Sequence, residues 1–305
     1  MKISSKLKIA YSNEYVLPLP EGHKFPIDKY KLIPERLINE GTISEVNIFT
    51  PSKAELSIVE LTHDKEYVSK LVNLRLSERE IRKIGFPLSK ELIEREFIIA
   101  GGTIKGALSA MDNMAALNVA GGTHHAYAGH GEGFCLLNDV AVASNYLLHM
   151  KLAERILIVD LDVHQGNGTA KIFENNTSVF TFSMHGEANY PLYKEKSDLD
   201  IPLKYKIDDY TYLKLLYENL PQIIKSFQPD FLFYISGVDV LHTDKWGRLG
   251  MTIDGCAARD HFVFETAKTN NLPVMVSMGG GYSPNINEIV EAHCNTFRIA
   301  FDLFS

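Results

Sequence analysis

The 305-residue sequence predicts an α/β fold built around a mainly parallel sheet. Short apolar runs of strand length alternate along the chain with longer segments of helical periodicity, which is the pattern of strand–helix–strand units. The strand segments are apolar almost throughout, as expected of strands that are buried in a parallel sheet. No linker rich in Pro, Ser or Gly divides the chain, so we expect a single domain over residues 1–305.

The individual elements follow from hydrophobic periodicity and capping signals. Ser52 and Glu55 have the spacing of a capping box, which predicts a helix over residues 52–61. The further predicted helices cover residues 63–71, 90–111, 139–150, 211–227, 257–269 and 286–301. The predicted strands cover residues 116–120, 155–162, 179–184, 231–235 and 273–278.

Polar or glycine-rich loops follow four of the predicted strands. They cover residues 121–135, 160–168, 236–244 and 279–283. The loops beyond the carboxyl ends of parallel strands share one edge of the sheet, where ligands bind in folds of this class. We therefore expect the side chains of these four loops to form one site.

Composition and charge exclude some classes of function. The chain has 38 acidic and 31 basic residues, which gives a formal net charge of −7. An acidic surface attracts neither nucleic acid nor an anionic membrane, so we expect neither partner, whereas a basic substrate is compatible.

Cys135, Cys256 and Cys294 form no CxxC pair, which argues against a disulfide framework. Residues 1–20 lack a signal-peptide core, and no apolar run is long enough to span a membrane, so we expect a cytoplasmic protein.

The stretch VDLDVHQGNG at residues 159–168 concentrates ionisable side chains on a predicted strand. Asp160, Asp162 and His164 are spaced two residues apart, which on a strand places them on one face. Adjacent carboxylates repel each other unless a cation lies between them. Carboxylate and imidazole ligands without cysteine suit Zn²⁺ in a catalytic site, and also Fe²⁺ or Mn²⁺. Asp239, in the SGVD that ends another predicted strand, is a candidate for a further ligand.

Two further motifs carry groups that hydrolysis uses. His124 and His125 follow a predicted strand in GGTHHA, and adjacent histidines point in different directions. They can therefore flank one reacting group as general base and general acid. Tyr282 follows three glycines in GGGY, where the backbone can approach a ligand closely. Its hydroxyl can donate to a carbonyl oxygen that becomes negative.

Five motifs, in this order along the chain, together resemble the histone deacetylase superfamily. They are GGTHHA at 121–126, GFCLLND at 133–139, VDLDVHQGNG at 159–168, SGVD at 236–239 and GGGY at 279–282. The HQGNG form and GVDVLHTDKWGRLGMT look most like the class IV, deacetylase-11-like branch and its bacterial relatives. The resemblance implies an open, arginase-like α/β fold with a central, mainly parallel sheet of about eight strands flanked by helices.

The resemblance also implies roles for individual residues at the reacting centre. Asp162, His164 and Asp239 would bind Zn²⁺, for which Fe²⁺ is an alternative. Asp160 would orient His124 as a partner outside the metal's own ligands. Tyr282 would polarise the acyl carbonyl, and the slot for the lysine methylenes would be formed by Gly133 and Phe134.

Three further sites are implied by the resemblance alone. A structural K⁺ would be held by a set that overlaps the zinc ligands: Asp160, Asp162, His164, Ser183 and Met184. A second monovalent cation would lie near Phe173 and Val179. Arg36 is a match for an arginine that lines an acetate-release channel.

The function implied is a hydrolase that uses metal-activated water to remove acetyl or longer fatty acyl groups from N-ε-acyl-lysine. The acylated lysine would belong to a protein or peptide, or the substrate would be a small acylated amine. An acetylpolyamine amidohydrolase is the alternative within the same fold, and a manganese ureohydrolase is a more distant one. An acyl-lysine binding module without catalytic activity is the alternative of another class.

Asn167 departs from many zinc deacetylases, in which an aspartate pairs with the second histidine. Asparagine can accept a hydrogen bond and orient His125, but it carries no charge, so we expect His125 to be a neutral base at neutral pH. Replacement by aspartate (Asn167→Asp) is then expected to raise the pH of the acidic limb of the pH–rate profile. An acidic limb that does not move would contradict this expectation.

Overall fold

The computed structural model describes residues 7–305, so residues 1–6 of the segment assessed for a signal peptide lie outside the described residues. Its centre is one sheet of eight strands in the order β2-β1-β3-β8-β7-β4-β5-β6, and every neighbouring pair is parallel. The strands are β1 (Lys8–Ala10), β2 (Ile48–Phe49), β3 (Ala115–Asn118), β4 (Ile156–Asp160), β5 (Val179–Gly186), β6 (Leu199–Leu203), β7 (Phe231–Ser236) and β8 (Val274–Met278). The predicted α/β fold with eight strands is confirmed.

Ten α-helices in the described part of the chain flank the sheet. They are α1 (Lys29–Asn39), α2 (Leu56–Val59), α3 (Lys65–Val72), α4 (Glu78–Ile84), α5 (Lys90–Asn113), α6 (Asp139–His149), α7 (Asn167–Phe173), α8 (Asp209–Phe227), α9 (Ile253–Thr269) and α10 (Ile286–Phe304). Alternate residues of the central strands enter two separate apolar clusters. Ile156 and Ile158 of β4 pack in one cluster, whereas Leu157 and Val159 pack in the other. Both faces of the sheet are therefore covered, which explains why these strands read as continuous apolar runs.

The register of the central strands brings the predicted loops to one edge. Asp160 at the end of β4 is opposite Ile235 of β7 and Ser183 of β5. Ile235 is in turn opposite Ser277, near the end of β8. The residues that follow β4, β7 and β8 therefore leave the sheet side by side.

A buried ion pair on α9 ties two of these loops to the helical layer. The Arg259 guanidinium donates from Nη1 to the backbone oxygens of Leu161 (3.1 Å) and Gly237 (2.6 Å). Its partner is Asp260, which also accepts hydrogen bonds from Tyr234 and a threonine of α10. Arg259 thus fixes the backbone immediately before Asp162 and close to Asp239.

The structure corrects two local predictions. Residues 52–55 are not helical, because the backbone nitrogen of Ala54 donates to Phe97 of α5 and holds the segment extended; the capping box at Ser52 is wrong. The strand predicted over 155–162 ends at Asp160. Beyond it, the Asp160 carboxylate accepts from the Asp162 backbone nitrogen, which bends the chain away from the strand. Asp162 and His164 therefore lie in the loop, and the prediction that they share one strand face with Asp160 is wrong.

Several short elements were not predicted from the sequence. The strands β1 and β2 have only three and two residues, too few to show a clear pattern, and the edge strand β6 (LDIPL) carries an aspartate and a proline in place of an apolar run. Asn167, interpreted as a turn residue, is the first residue of α7. The eleven-residue helix α1 and the shorter α4 were also not predicted. For the longer elements that were predicted, the predicted and observed boundaries differ by only a few residues.

Two expectations drawn from composition can be compared with the structure. Cys135, Cys256 and Cys294 are buried and free, as their spacing indicated. Within residues 7–305, no helix is both long enough and apolar enough to cross a bilayer. The cytoplasmic location and the prediction that residues 1–305 form a single domain stay predictions.

Replacing the buried arginine tests its part in the fold. Arg259→Leu leaves the Asp260 charge buried without its partner, so we expect the free energy of unfolding to fall by about 3–5 kcal/mol. Chemical denaturation measures this loss. Arg82→Leu, which removes an exposed i,i+4 pair with Glu78, is the control and should leave stability nearly unchanged. A similar small loss in both variants would contradict the assigned role.

Candidate active site

Three ionisable side chains meet at the carboxyl edge of the sheet. Asp162, His164 and Asp239 are buried, and one ligand atom from each lies within 4.8 Å of the other two. The Nδ1 atom of His164 is 3.0 Å from Oδ1 of Asp162 and 3.1 Å from Oδ2 of Asp239. The loops after β4 and β7 therefore place the three residues proposed as metal ligands in one cluster.

Backbone amides hold the two carboxylates but leave one oxygen free. Oδ2 of Asp162 accepts from the Gly280 nitrogen at 2.6 Å, and Oδ1 of Asp239 accepts from the Val163 nitrogen at 2.9 Å. Oδ2 of Asp239 is buried and has no hydrogen-bond partner among the described residues. A buried carboxylate oxygen without a donor is costly unless a cation binds it.

The glycines of GGGY allow the backbone to lie against these carboxylates. A Cβ at position 280 would overlap Oδ2 of Asp239, and one at position 279 would lie 2.7 Å from Oδ2 of Asp162. Any side chain here would displace the cluster. The close approach expected of these glycines is therefore to the carboxylates of the protein itself.

The electrostatics of the cluster fit a divalent cation. Burial and the neighbouring Asp162 charge raise the pKa of Asp239 to about 7. Burial lowers the pKa of His164, but the neighbouring carboxylates of Asp162 and Asp239 outweigh that effect and raise the pKa to about 10. The cluster thus attracts positive charge, as protons or as a metal ion. Two carboxylates and an imidazole are a donor set of the kind that catalytic Zn²⁺ sites use, so the residues fit the expected metal.

His124 is paired with a carboxylate outside the cluster. Its Nδ1 atom is 2.6 Å from Oδ2 of Asp160, and its Nε2 atom is 3.9 Å from Oδ1 of Asp162. Burial lowers the pKa of His124, but the two carboxylates outweigh burial and raise the pKa to about 9. Protonation of His124 is therefore favoured beside the cluster of Asp162, His164 and Asp239.

His125 has the opposite character. Its Nδ1 atom is 2.7 Å from Oδ1 of Asn167, and no carboxylate among the described residues forms a hydrogen bond or ion pair with the ring. Burial, followed by the charges of His124 and His164, holds the pKa of His125 well below its usual range. The pKa values of the two adjacent imidazoles are therefore shifted in opposite directions, which favours a neutral His125, able to accept a proton.

Tyr282 presents a protonated hydroxyl near the cluster. Its backbone nitrogen donates to Asp244 at 2.6 Å, and its ring lies edge-on to His164 with the centroids 6.3 Å apart. Burial and the charges of Asp239 and Asp162 raise the pKa of the phenol well above 10. Tyr282 therefore remains a hydrogen-bond donor at neutral pH.

A narrow slot leads to the cluster, with Gly133 and Phe134 on one side. Gly133 has a φ of +56°, and a Cβ there would lie 2.8 Å from the His125 ring. The slot opens into a mouth of about 460 Å³ to which Tyr190 and Trp246 add aromatic surface. Neither Tyr190 nor Trp246 was predicted from the sequence as a residue of the site. Trp246, the single tryptophan of the chain, gave the clearer signal because it follows the site loop at Asp244.

Arg36, expected at an acetate-release channel, lies elsewhere. It is on α1, where it forms an ion pair with Glu291 at 2.9 Å and lines a separate surface depression. The cation that reaches the floor of the site is Lys29, whose buried Nζ donates to the backbone oxygen of Gly279 at 3.0 Å. Lys29 was missed because a lysine at the start of a helix normally points into solvent.

The cation sites expected from the resemblance stay predictions. Ser183 is the register partner of Asp160, and its hydroxyl lies 3.0 Å from Nδ1 of His185. Met184 follows it in β5. Phe173 and Val179 are buried in one of the two apolar clusters.

Known proteins share this chain's sequence pattern over nearly its whole length. Residues 23–297 match the family described as the histone deacetylase domain. An uncharacterized protein of Picosynechococcus sp. is 41% identical over 296 residues, which cover 97% of this chain and 99% of that protein. Histone deacetylase 2 of Arabidopsis thaliana is 28% identical, over 94% of this chain and 77% of that protein.

A solved structure shares the fold. The crystal structure of the HDA15 HD domain has a TM-score of 0.82 to this chain, with 20% sequence identity. The match covers 98% of this chain and 89% of the other.

Neutralising one carboxylate separates metal binding from folding. Asp239→Asn removes a buried charge next to Asp162, so we expect the metal-free variant to be at least as stable as the wild type. We expect its Zn²⁺ affinity to fall by more than about 100-fold, since loss of a partner outside the ligands alone costs about 10–100-fold. Calorimetric titration and thermal unfolding with and without Zn²⁺ measure both quantities. Asp254→Asn, at an exposed position, is the control; equal Zn²⁺ affinity in both variants would contradict the assignment.

Proposed function

Because the chain belongs to the histone deacetylase domain family, we propose that it is a zinc-dependent hydrolase that removes acyl groups from N-ε-acyl-lysine. The observation that carries the proposal is the buried cluster of Asp162, His164 and Asp239 at the base of the slot. Three ligands of this kind leave a coordination position open for water and substrate, which hydrolysis needs.

The side chains around the cluster would divide the work of hydrolysis. Bound zinc would supply Lewis-acid activation of water and of the acyl carbonyl. His125, whose ring is fixed through Nδ1, would take a proton from water at Nε2 and pass it to the leaving amine. The charged His124 would stabilise the negative charge that develops, and the Tyr282 hydroxyl would donate to the carbonyl oxygen.

The character of the mouth favours acyl-lysine over an acetylpolyamine. Its surface is aromatic and aliphatic, from Phe134, Tyr190, Leu192 and Trp246, and Arg248 lies at its edge. None of the described residues that line the mouth is acidic. A polycationic substrate would require negative charge at this position, whereas an apolar mouth suits a neutral acyl-lysine.

Some finer points of the proposal rest on the resemblance alone. The class IV assignment rests on HQGNG and on residues 237–252. Fe²⁺ remains an alternative to Zn²⁺, because the same ligands bind both. The structural K⁺ at Asp160, Asp162, His164, Ser183 and Met184 is proposed on the same basis.

A substrate series tests the proposed reaction. The zinc-loaded protein would be assayed against acyl-lysine peptides from acetyl to myristoyl and against acetylputrescine. We expect hydrolysis of the peptides and little of acetylputrescine. A strong preference for acetylputrescine would indicate a polyamine amidohydrolase instead. No turnover of any substrate by the zinc-bound protein would indicate a binding module.

Single replacements test the assigned groups. We expect His125→Ala to lower kcat by about 10²–10⁴-fold, since it removes the general base. We expect Tyr282→Phe to lower kcat by about 10²–10³-fold, since it removes a donor to the oxyanion. Exposed residues of the same types supply the controls, His261→Ala and Tyr217→Phe. Thermal unfolding checks that each variant folds; near-wild-type kcat in folded His125→Ala and Tyr282→Phe would contradict the mechanism.

A further inference from the structure

A buried glutamate lies behind the residue that orients His125. Glu132 is 4% exposed and is located between two glycines of the loop that follows β3. Its Oε1 atom accepts from Nδ2 of Asn167 at 2.7 Å and from the Tyr190 hydroxyl at 2.8 Å. Its Oε2 atom forms an ion pair with Lys83. None of the roles described so far involves this carboxylate.

Glu132 is ionised at neutral pH. Burial raises its pKa, but the bonds from His130, Lys83, Tyr190 and Asn167 outweigh burial and hold the pKa well below its usual range. An ionised carboxylate can only accept hydrogen bonds. The side of Asn167 that faces Glu132 must therefore be its NH₂ group.

A second neighbour imposes the same orientation on the Asn167 amide. Nδ2 of Asn167 is 3.0 Å from the Tyr127 hydroxyl, and that hydroxyl donates to Glu195 at 3.2 Å. The Tyr127 oxygen is thus left to accept from Nδ2. Both groups on this side of the amide are acceptors, and a flipped amide would turn its own carbonyl oxygen towards two acceptors.

The fixed amide determines where His125 carries its proton. With NH₂ towards Glu132, the Oδ1 atom of Asn167 faces Nδ1 of His125 at 2.7 Å. A carbonyl oxygen only accepts, so Nδ1 must carry the hydrogen. The neutral imidazole then has its lone pair on Nε2, the atom that would take a proton from water.

We propose that Glu132 is a positioning residue for the hydrolysis: its carboxylate orients the Asn167 amide, which keeps the proton of His125 on Nδ1. In many zinc deacetylases a carboxylate contacts the second histidine directly. In this chain Asn167 contacts His125, and the carboxylate of Glu132 binds the other side of the Asn167 amide. Glu132 also binds Tyr190, whose ring lies edge-on to His125 with the centroids 4.9 Å apart. The proposal rests on the proposed function in assigning His125 as the base.

The contact changes what the Asn167→Asp variant should do. The aspartate introduced there would place a second carboxylate within about hydrogen-bond distance of Glu132, and two carboxylates repel at that distance. The expectation from the sequence, a simple move of the acidic limb, considered only His125. Glutamine at position 132 can donate to a carboxylate at position 167, so it should compensate for the second change.

A double-mutant cycle tests this coupling with the zinc-loaded protein and the best acyl-lysine peptide. We expect Glu132→Ala to lower kcat about tenfold with KM within about threefold, and Glu132→Gln to recover most of the loss. We expect Asn167→Asp to lower kcat at least tenfold, and addition of Glu132→Gln to that variant to raise kcat at least about tenfold. Glutamine would thus be neutral or slightly harmful beside the native Asn167 but beneficial in the Asn167→Asp background. A merely structural role of Glu132 would not produce this reversal.

The tautomer of His125 provides a readout that needs no turnover. Long-range ¹⁵N–¹H spectra of the imidazoles, with the His125 signals assigned by comparison with His125→Ala, distinguish a ring protonated at Nδ1 from one protonated at Nε2. We expect the Nδ1–H form in the wild type and a mixture in Glu132→Ala. Glu174→Ala, which removes an exposed glutamate paired with Lys171, is the control and should keep the wild-type spectrum.

Two results would overturn the proposal. One is an unchanged Nδ1–H tautomer in folded Glu132→Ala. The other is a double variant, Glu132→Gln with Asn167→Asp, that is no more active than Asn167→Asp alone. If the wild type hydrolyses no acyl-lysine peptide, the proposed function fails, and the imidazole spectra still decide whether Glu132 sets the tautomer. Thermal unfolding of each variant separates these outcomes from loss of the fold.

Discussion

The constraint on which this structure depends is the burial of negative charge at one edge of the sheet. Asp160, Asp162 and Asp239 all lie there with almost no exposure to water. Each is compensated differently: Asp160 by an imidazole, Asp162 by backbone amides and by His164, and Asp239 only in part. Oδ2 of Asp239 accepts no hydrogen bond from the described residues, and this oxygen most favours a cation at the cluster. The fold tolerates this cost because the other groups around the cluster supply donors or positive charge.

The same requirement explains features that would otherwise look unrelated. The glycines at 279 and 280 have no Cβ because the carboxylates occupy that space, and Lys29 is buried where it can bind the oxygen of Gly279. The charged His124 lies close to Asp162. His125 is kept neutral by the same surroundings, because charges already present disfavour another one. One electrostatic arrangement therefore accounts for both the cluster of Asp162, His164 and Asp239 and the difference between the two imidazoles.

The sequence predicted the sheet and the four loops because parallel strands leave strong local signals. The apolar runs at β4, β7 and β8 mark buried strands, and the polar residues after them mark the loops. Glu132 and Lys29 leave no such signal, since a single charged residue near a glycine or a helix start is usually solvated. Their burial results from contacts between residues distant in sequence, which no local pattern contains. The capping box at Ser52 failed for the same reason, because a contact with α5 prevailed over local propensity.

The guanidinium of Arg259 connects two loops of the site in addition to pairing with the charge of Asp260. One nitrogen holds the backbone before Asp162 and the backbone near Asp239, so the two loops are fastened to a single point on α9. The positions of the two loops are therefore coupled through the Nη1 atom that both of them bind. The backbone of both loops is therefore anchored by contacts of the protein itself, independently of any cation at the cluster.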